Sequence, residues 1–424
     1  MSTEQTITDA VAKLSGAPLT ESAVVEHLHP LFTRVLARNQ RTNEIYLANH
    51  SLGRPLDAAA NDVNEFMDAW YADMDGAWDA WINEREAYRS RIASLIGCDR
   101  PDAVVPKTSA AQGLRAVIHA LKNPKPTIVA TRGEFDSIDF NLKAAAHKGR
   151  ADIHWVSADE QGLYQPEDLL AEITDGADLV VLSMAVFVSG QMIDGLKDII
   201  QTAHEYGALV LLDAYHAYGV LPIDFDSLGA DFLIAGNYKY TRGGPGACFL
   251  AVHPKHLSDA GGVPKKDTLF TTDTGWFAKQ DTFAYRRTDD PEFAAGGDAW
   301  LESTPPAIIY YQARSGLILT QAIGLDRLRA YSLQQQAFLT NALREAGIET
   351  STPERHGAFV LISVNDGKAC MQTLKDAGVN IDGRPCPTTG AFFIRLCPDL
   401  LTTEAELNEA VARISSVIRP YLAH

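Results

Sequence analysis

Between residues 127 and 252 short apolar runs alternate with amphipathic stretches. The runs are TIVAT (127–131), DIHWV (152–156), DLVVLS (178–183), ALVLLD (208–213), DFLIAG (231–236) and ACFLAV (247–252). Apolar runs without period-two alternation suit strands covered on both faces, as in a mostly parallel sheet. Between two of them, Leu196, Ile199, Ile200 and Ala203 mark one face of a helix, and Gly207 is placed to stop it. Repeated strand-helix-strand units predict an α/β domain of three layers.

After Thr304-Pro305-Pro306 the pattern changes. A long helical stretch over roughly 308–347 precedes a strand candidate, AFVLISV (358–364), a helix over 369–377, a strand FFIRL (392–396) and a last helix over 403–421. These elements predict a smaller α+β domain. The first 55 residues read as mainly helical and end in IYLANHSLGRP; lacking a core of their own, they are expected to pack on the small domain or a partner subunit. The expected division is therefore 1–55, 56–305 and 306–424.

Composition and charge narrow the function. With 46% hydrophobic and 21% charged residues the chain matches an ordinary globular protein, so collagen, coiled-coil and disordered classes drop out. Its 37 basic and 54 acidic residues leave a net charge of −17, which disfavours broad binding to nucleic acid or an anionic membrane. The five cysteines are scattered and form no CxxC pair, so neither a disulfide framework nor a metal site is expected. The N-terminal segment has no signal-peptide pattern, and no run is long and apolar enough to span a membrane, so a cytoplasmic location is expected.

The densest chemical signal is LLDAYHAYGVLPIDFDSLGADFLIAGNYKYTRGGPGACFLAV. Asp213 closes one strand candidate, His216 follows three residues later, and Lys239 stands just beyond another strand before GGPG. In open α/β sheets ligands sit at the carboxyl ends of strands, so these side chains are expected to share one crevice. A buried lysine loses its proton readily and becomes nucleophilic, as a Schiff-base lysine must. Each residue alone has an ordinary explanation: a cap, a core histidine, a solvated loop lysine. Their combination at two strand ends points to pyridoxal 5′-phosphate, with Lys239 joined to the cofactor, Asp213 against its pyridinium nitrogen and His216 beside its ring.

DAYHAYGVLPIDF and GNYKYTRGGPGACFLAV resemble the cofactor core of kynureninases, within the class V group of fold type I pyridoxal-phosphate enzymes. IYLANHSLGRP, VVPKTSAAQGL, EFDSIDF, VFVSGQMID, TGWFAK, ESTPPA and FFIRL extend the resemblance over most of the chain. It implies a large domain built on a mostly parallel seven-stranded sheet, a smaller C-terminal domain, and a homodimer with shared active sites. It places Tyr238 at the cofactor phosphate with Thr108, Ser109 and Ala110, whose helix N-terminus also suits an anion on physical grounds. Phe135 matches the aromatic stacked on the ring and Ser183 a cofactor-side residue. The family's Asp three residues after that aromatic is here Ile138, leaving Asp136 or Asp139 as substitutes. Trp276 and Thr304 match residues that reach a neighbouring subunit's cofactor.

On the substrate side, Arg395 matches the arginine that holds the α-carboxylate, a task suited to a guanidinium fork. Asn49, His50 and Ser51 occupy the place of the family's Gly-Asn-Ser segment, and Trp78 or Trp81 would supply an aromatic wall. The implied reaction is hydrolysis of the β–γ carbon–carbon bond of kynurenine to anthranilate and alanine. Two departures bear on substrate: GWFGH is here GWFAK, with Ala278 and Lys279, and the 384–395 segment is longer and contains Cys386. A class V aminotransferase, epimerase or carbon–sulfur lyase remains an alternative, as does a cysteine desulfurase using Cys386. A pyridoxal-phosphate-binding regulator without catalysis is the remaining reading, and no DNA-binding pattern precedes the core to favour it.

Overall fold

The computed structural model describes residues 2–422. Seven strands form the main sheet: β1 (Val104–Lys107), β2 (Thr127–Thr131), β3 (Asp152–Val156), β4 (Leu179–Ser183), β5 (Leu209–Asp213), β6 (Phe232–Gly236) and β7 (Cys248–Val252). Their order is β1-β7-β6-β5-β4-β2-β3. Strands β2 to β6 pair in parallel, while β7 is antiparallel to β6 and β1 antiparallel to β7. The mostly parallel seven-stranded sheet agrees with the expected large domain.

Alternate residues of each central strand feed opposite cores. Val129, Val180, Leu182, Val210, Leu212 and Leu233 join one buried cluster. Ile128, Leu179, Val181, Leu211, Phe232 and Ile234 join the other. Both faces are therefore covered, which is why these runs are apolar throughout. Strand β3 departs from that expectation: at the sheet edge, it leaves Asp152 and His154 exposed. Strand β1 was not marked by the hydrophobic pattern. Its Pro106 lacks an N–H, which a strand at the opposite edge tolerates.

The smaller sheet contains β8 (Val360–Val364), β9 (Asp382–Pro385) and β10 (Phe392–Leu396), ordered β9-β10-β8 and antiparallel throughout. Leu339, Leu343, Leu374, Ile394, Leu407 and Ile414 fill its core. The long helical stretch is two helices, Ile308–Ile323 and Leu325–Glu345, separated at Gly324, whose φ of +90° favours glycine. The N-terminal helices Thr3–Ala12, Glu21–His27 and Thr33–Thr42 bury Ile7, Val24, Leu28 and Phe32 against Ile318, Leu319, Ile323 and Leu401 of this same chain.

Candidate active site

The carboxyl ends of β4, β5 and β6 converge. Ser183 and Asp213 are register neighbours on β4 and β5, and the turn after β6 delivers Tyr238 and Lys239. Lys239 Nζ lies 2.8 Å from His216 Nε2. The rings of Phe135, Phe187, Tyr215 and Tyr238 surround the amine, their centroids 5.8 to 6.0 Å away. Burial, reinforced by the Arg395 charge, pulls the Lys239 pKa down to about 7 against the opposing pull of Asp213. The structure thus supplies what a Schiff-base lysine needs, an amine that is substantially unprotonated at physiological pH.

Asp213 Oδ1 accepts from the Tyr215 amide at 2.8 Å, while Oδ2 is buried with no partner. Burial raises this carboxyl to about 6. An orphaned carboxylate oxygen in a closed pocket calls for a donor from a ligand, and a protonated pyridine nitrogen would provide one. The orphaned oxygen, the lysine of lowered pKa and the aromatic enclosure fit pyridoxal phosphate.

The lysine turn is held tightly. The Gly53 amide donates to Tyr238 O at 2.8 Å, and a Cβ at Gly53 would stand 1.9 Å from Lys239 O. Gly316 makes the same close approach to Thr241 O, with a Cβ also at 1.9 Å. Arg242 adopts a φ of +57° and pairs with Asp399 at 2.9 Å. Gly53→Ala is therefore expected to displace the turn, destabilise the protein by about 1–3 kcal/mol, and weaken cofactor retention. Urea unfolding and cofactor absorbance after gel filtration check this; an alanine variant with wild-type values for both would contradict it.

Glu134, immediately before Phe135, was not picked out by the sequence pattern. Ser183 donates to it through both Oγ (2.6 Å) and its amide (3.2 Å), and Thr131 Oγ1 lies 2.6 Å away. Burial raises its carboxyl to about 7, with the nearby charge of Asp213 acting in the same direction. Ser183 is thereby committed to a second buried carboxyl beside Asp213.

The residues expected on the substrate side gather around another unanticipated group, Asp382. Arg395 Nη2 donates to Asp382 Oδ2 at 2.7 Å, and its Nη1 to Phe187 O at 2.5 Å, leaving Nε buried and unpartnered. Arg384 Nη1 donates to Asp382 Oδ1 at 2.5 Å, and Ser51 Oγ donates to Oδ2. His50 Nε2 is 3.7 Å from the same carboxylate, with both ring nitrogens lacking hydrogen bonds. Asn49 turns its amide to Cys397 O at 2.8 Å. Arg395 thus meets a carboxylate of its own chain while retaining unpartnered N–H capacity.

The remaining expected residues make contacts of their own. Thr108 and Ser109 are exposed, and Ser109 caps the helix Ala110–Ile118 by accepting from the Gln112 amide; the Thr108 amide and hydroxyl both donate to Gln112 Oε1. Trp276 Nε1 donates to Thr304 Oγ1 at 3.1 Å. Trp78 meets Trp276 and Phe277, whereas Trp81 stacks on Phe66 at 5.0 Å. Asp136 is exposed at the start of the helix Asp136–His147, and Asp139 pairs with Lys143 at 2.7 Å. Cys386 is buried in the large core and packs near Gly162.

Comparison with known proteins agrees with this architecture. The Aminotransferase class-V family profile matches residues 74–387, more than half of the chain. The chain therefore belongs to the class V aminotransferase family, and its cofactor is pyridoxal 5′-phosphate. Within that family it is similar to a kynureninase of Geobacillus thermodenitrificans (strain NG80-2), 27% identical over 386 residues covering 86% of each chain. A kynureninase of Pseudomonas fluorescens is also 27% identical, covering 88% of this chain and 89% of the relative. In structure it resembles the cystine C–S lyase C-DES in complex with cysteine persulfide, with a TM-score of 0.76, 20% identity and coverage of 88% and 97%. An apo cysteine desulfurase from Thermococcus onnurineus NA1 superposes with a TM-score of 0.75 at 18% identity, covering 89% and 95%. The chain is a class V pyridoxal-phosphate-dependent enzyme. Among the described residues no helix is long and apolar enough to cross a membrane.

Proposed function

We propose that this enzyme hydrolyses the β–γ carbon–carbon bond of kynurenine or a closely related 4-oxo amino acid, releasing alanine and the carboxylic acid of the side chain, which is anthranilate for kynurenine. The observation carrying the reading is the buried, unpartnered Asp213 Oδ2 beside a lysine whose pKa is lowered to about 7, within a chain similar to kynureninases over most of its length. Pyridoxal phosphate, when bound, supplies the electron sink on which amino-acid bond cleavage depends. Asp213 would face its ring nitrogen, Lys239 would hold it covalently, and Tyr238 with the 108–110 helix start would meet its phosphate.

The remaining work belongs to the side chains. Arg395 orients the substrate through its α-carboxylate, and its guanidinium stays charged at any working pH. Lys239 Nζ, once released, takes the α-proton; a base with a pKa near 7 is matched to that transfer. The surrounding aromatic rings keep bulk water from the reacting carbon. A homodimer completes the proposed assembly, with Trp276 and Thr304 presented to the partner's cofactor.

The cysteine desulfurase reading draws support from fold likeness to C–S lyases and desulfurases. The burial of Cys386 at 3% exposure weighs against it, because a thiolate nucleophile needs access to substrate sulfur.

The test mixes the holoenzyme with L-kynurenine and 3-hydroxy-L-kynurenine and follows product fluorescence. Aromatic amine and alanine released in equal amounts are the expected result. Absorbance changes with other amino acids but no aromatic product from either compound would overturn kynurenine cleavage while leaving the class V assignment intact.

A further inference from the structure

A cavity of about 40 Å³ lies beside the Lys239 turn, bordered by Asn49, Lys239, Tyr240, Arg242, Ser332 and Gln335. Three of these residues carry buried polar atoms without hydrogen-bond partners: Asn49 Oδ1, Arg242 Nε and Gln335 Oε1. Leaving such an atom unpaired costs about 1–3 kcal/mol. A cavity of this size with polar walls accommodates about two waters, at roughly 15 Å³ of centre volume each. The open donor and acceptor positions on its wall are those that water satisfies.

Tyr240 connects this cavity to the site. Its Oη lies 3.3 Å from His216 Nδ1, and His216 Nε2 lies 2.8 Å from Lys239 Nζ. Tyr240, His216 and Lys239 are all buried. Among the described residues His216 is the one hydrogen-bond partner of Lys239 Nζ; the other near neighbours of that amine are aromatic rings. A proton collected by this lysine can therefore leave through His216.

We propose that Tyr240 and His216 form a proton relay joining Lys239 Nζ to water in the cavity, with Tyr240 as a positioning residue acting through His216. The proposal rests on the reading of Lys239 as the base at the α-carbon. In the outward direction a proton of the Lys239 ammonium moves to His216 Nε2, the Nδ1 proton moves to Tyr240 Oη, and the phenolic proton moves to a cavity water. The outward transfer leaves Lys239 neutral, His216 in its other tautomer, Tyr240 unchanged and the cavity water one proton richer; the reverse sequence restores all of them. Burial, with the charges of Lys239 and Arg395, keeps the His216 pKa well below its ordinary value, so the imidazolium is a fleeting carrier.

The experiment follows loss of deuterium from [α-²H]-L-alanine in H₂O on the holoenzyme, together with the cofactor absorbance change that alanine causes. In the wild type, deuterium washes out at a rate comparable to the absorbance change. Tyr240→Phe keeps the ring but lacks the hydroxyl; the isolated Lys239 ammonium then carries the label beside two protons of its own, so about one return in three restores deuterium and washout relative to the absorbance change should fall to roughly two-thirds of the wild-type ratio. Ala358→Val places two methyl groups at the cavity wall and should also retain label. Nitrogen-15 NMR of the cofactor-free chain should show altered His216 tautomer populations in Tyr240→Phe. Wild-type washout in both variants would overturn the relay. If no amino acid perturbs the wild-type cofactor absorbance, the assignment of Lys239 fails and takes the relay with it; kynurenine cleavage is scored separately by product fluorescence.

Discussion

Replacing Lys239 by alanine is expected to lower amino-acid turnover by about 10⁴-fold or more, with the fold retained. The amine is the proposed covalent anchor and the proposed base. The check is turnover on the purified variant with cofactor supplied in excess; activity within tenfold of wild type would remove Lys239 from the mechanism. The same position yields a stability result of opposite sign. In the folded chain the Lys239 pKa is about 7, against an ordinary value of 10.5, chiefly because burial disfavours the ammonium. Below pH 7 both folded and unfolded states carry the proton, so folding bears the whole cost of burying it. That cost shrinks as pH rises from 7 and is gone above 10.5. Lys239→Met should therefore stabilise the cofactor-free chain by roughly 2–4 kcal/mol near pH 6, with the gain vanishing by pH 10.5. Asp213, whose own carboxyl is raised to about 6, takes up a proton more easily once the ammonium is absent, limiting the loss of their mutual attraction. Urea unfolding across this range measures the effect, and a gain independent of pH would show that the ammonium is not what burial penalises.

Arg395→Ala is expected to weaken amino-acid binding by about 10²- to 10³-fold, read as the concentration dependence of the cofactor absorbance change. Arg395 is 1% exposed, bonded to Asp382 and Phe187 O, and keeps an unpartnered Nε. The loss has two sources. A substrate carboxylate loses its guanidinium fork, and Asp382 loses one of two arginines that offset the effect of burial on its pKa. Arg395→Lys should recover part of the charge term but not the two-pronged geometry, leaving a deficit of about tenfold or more. Asp382→Asn separates the two sources. It removes the internal competitor while leaving Arg395 in place, so its effect on amino-acid affinity should be far smaller than that of Arg395→Ala. Equal losses in all three variants would assign Arg395 a structural role instead of substrate binding.

The sequence by itself determined the central strands and the residues at their ends. TIVAT, DLVVLS, ALVLLD, DFLIAG and ACFLAV are apolar on both faces because each lies between two helical layers, a pattern written within five or six residues. Asp213, His216 and Lys239 were legible for the same reason: Asp213 ends its strand, His216 and Lys239 each follow a strand by three positions, and the chemistry needs those side chains near the strand ends. Where neighbours came from distant parts of the chain, only the tertiary structure decided. DIHWV looked internal, but its neighbours in space put it at an edge. Asp382 reads as an ordinary turn carboxylate until β9 pairs with β10 and sets it opposite Arg395. Glu134 becomes a buried carboxyl only because β4 brings Ser183 beside it, while the neighbouring helix phase turns Asp136 to solvent. The path from Lys239 through His216 and Tyr240 to the cavity likewise depends on packing against Ser332 and Gln335, which the chain reaches only some ninety residues later. Local pattern is set by short-range sterics and burial; pairing across long loops is settled by which surfaces exclude water together.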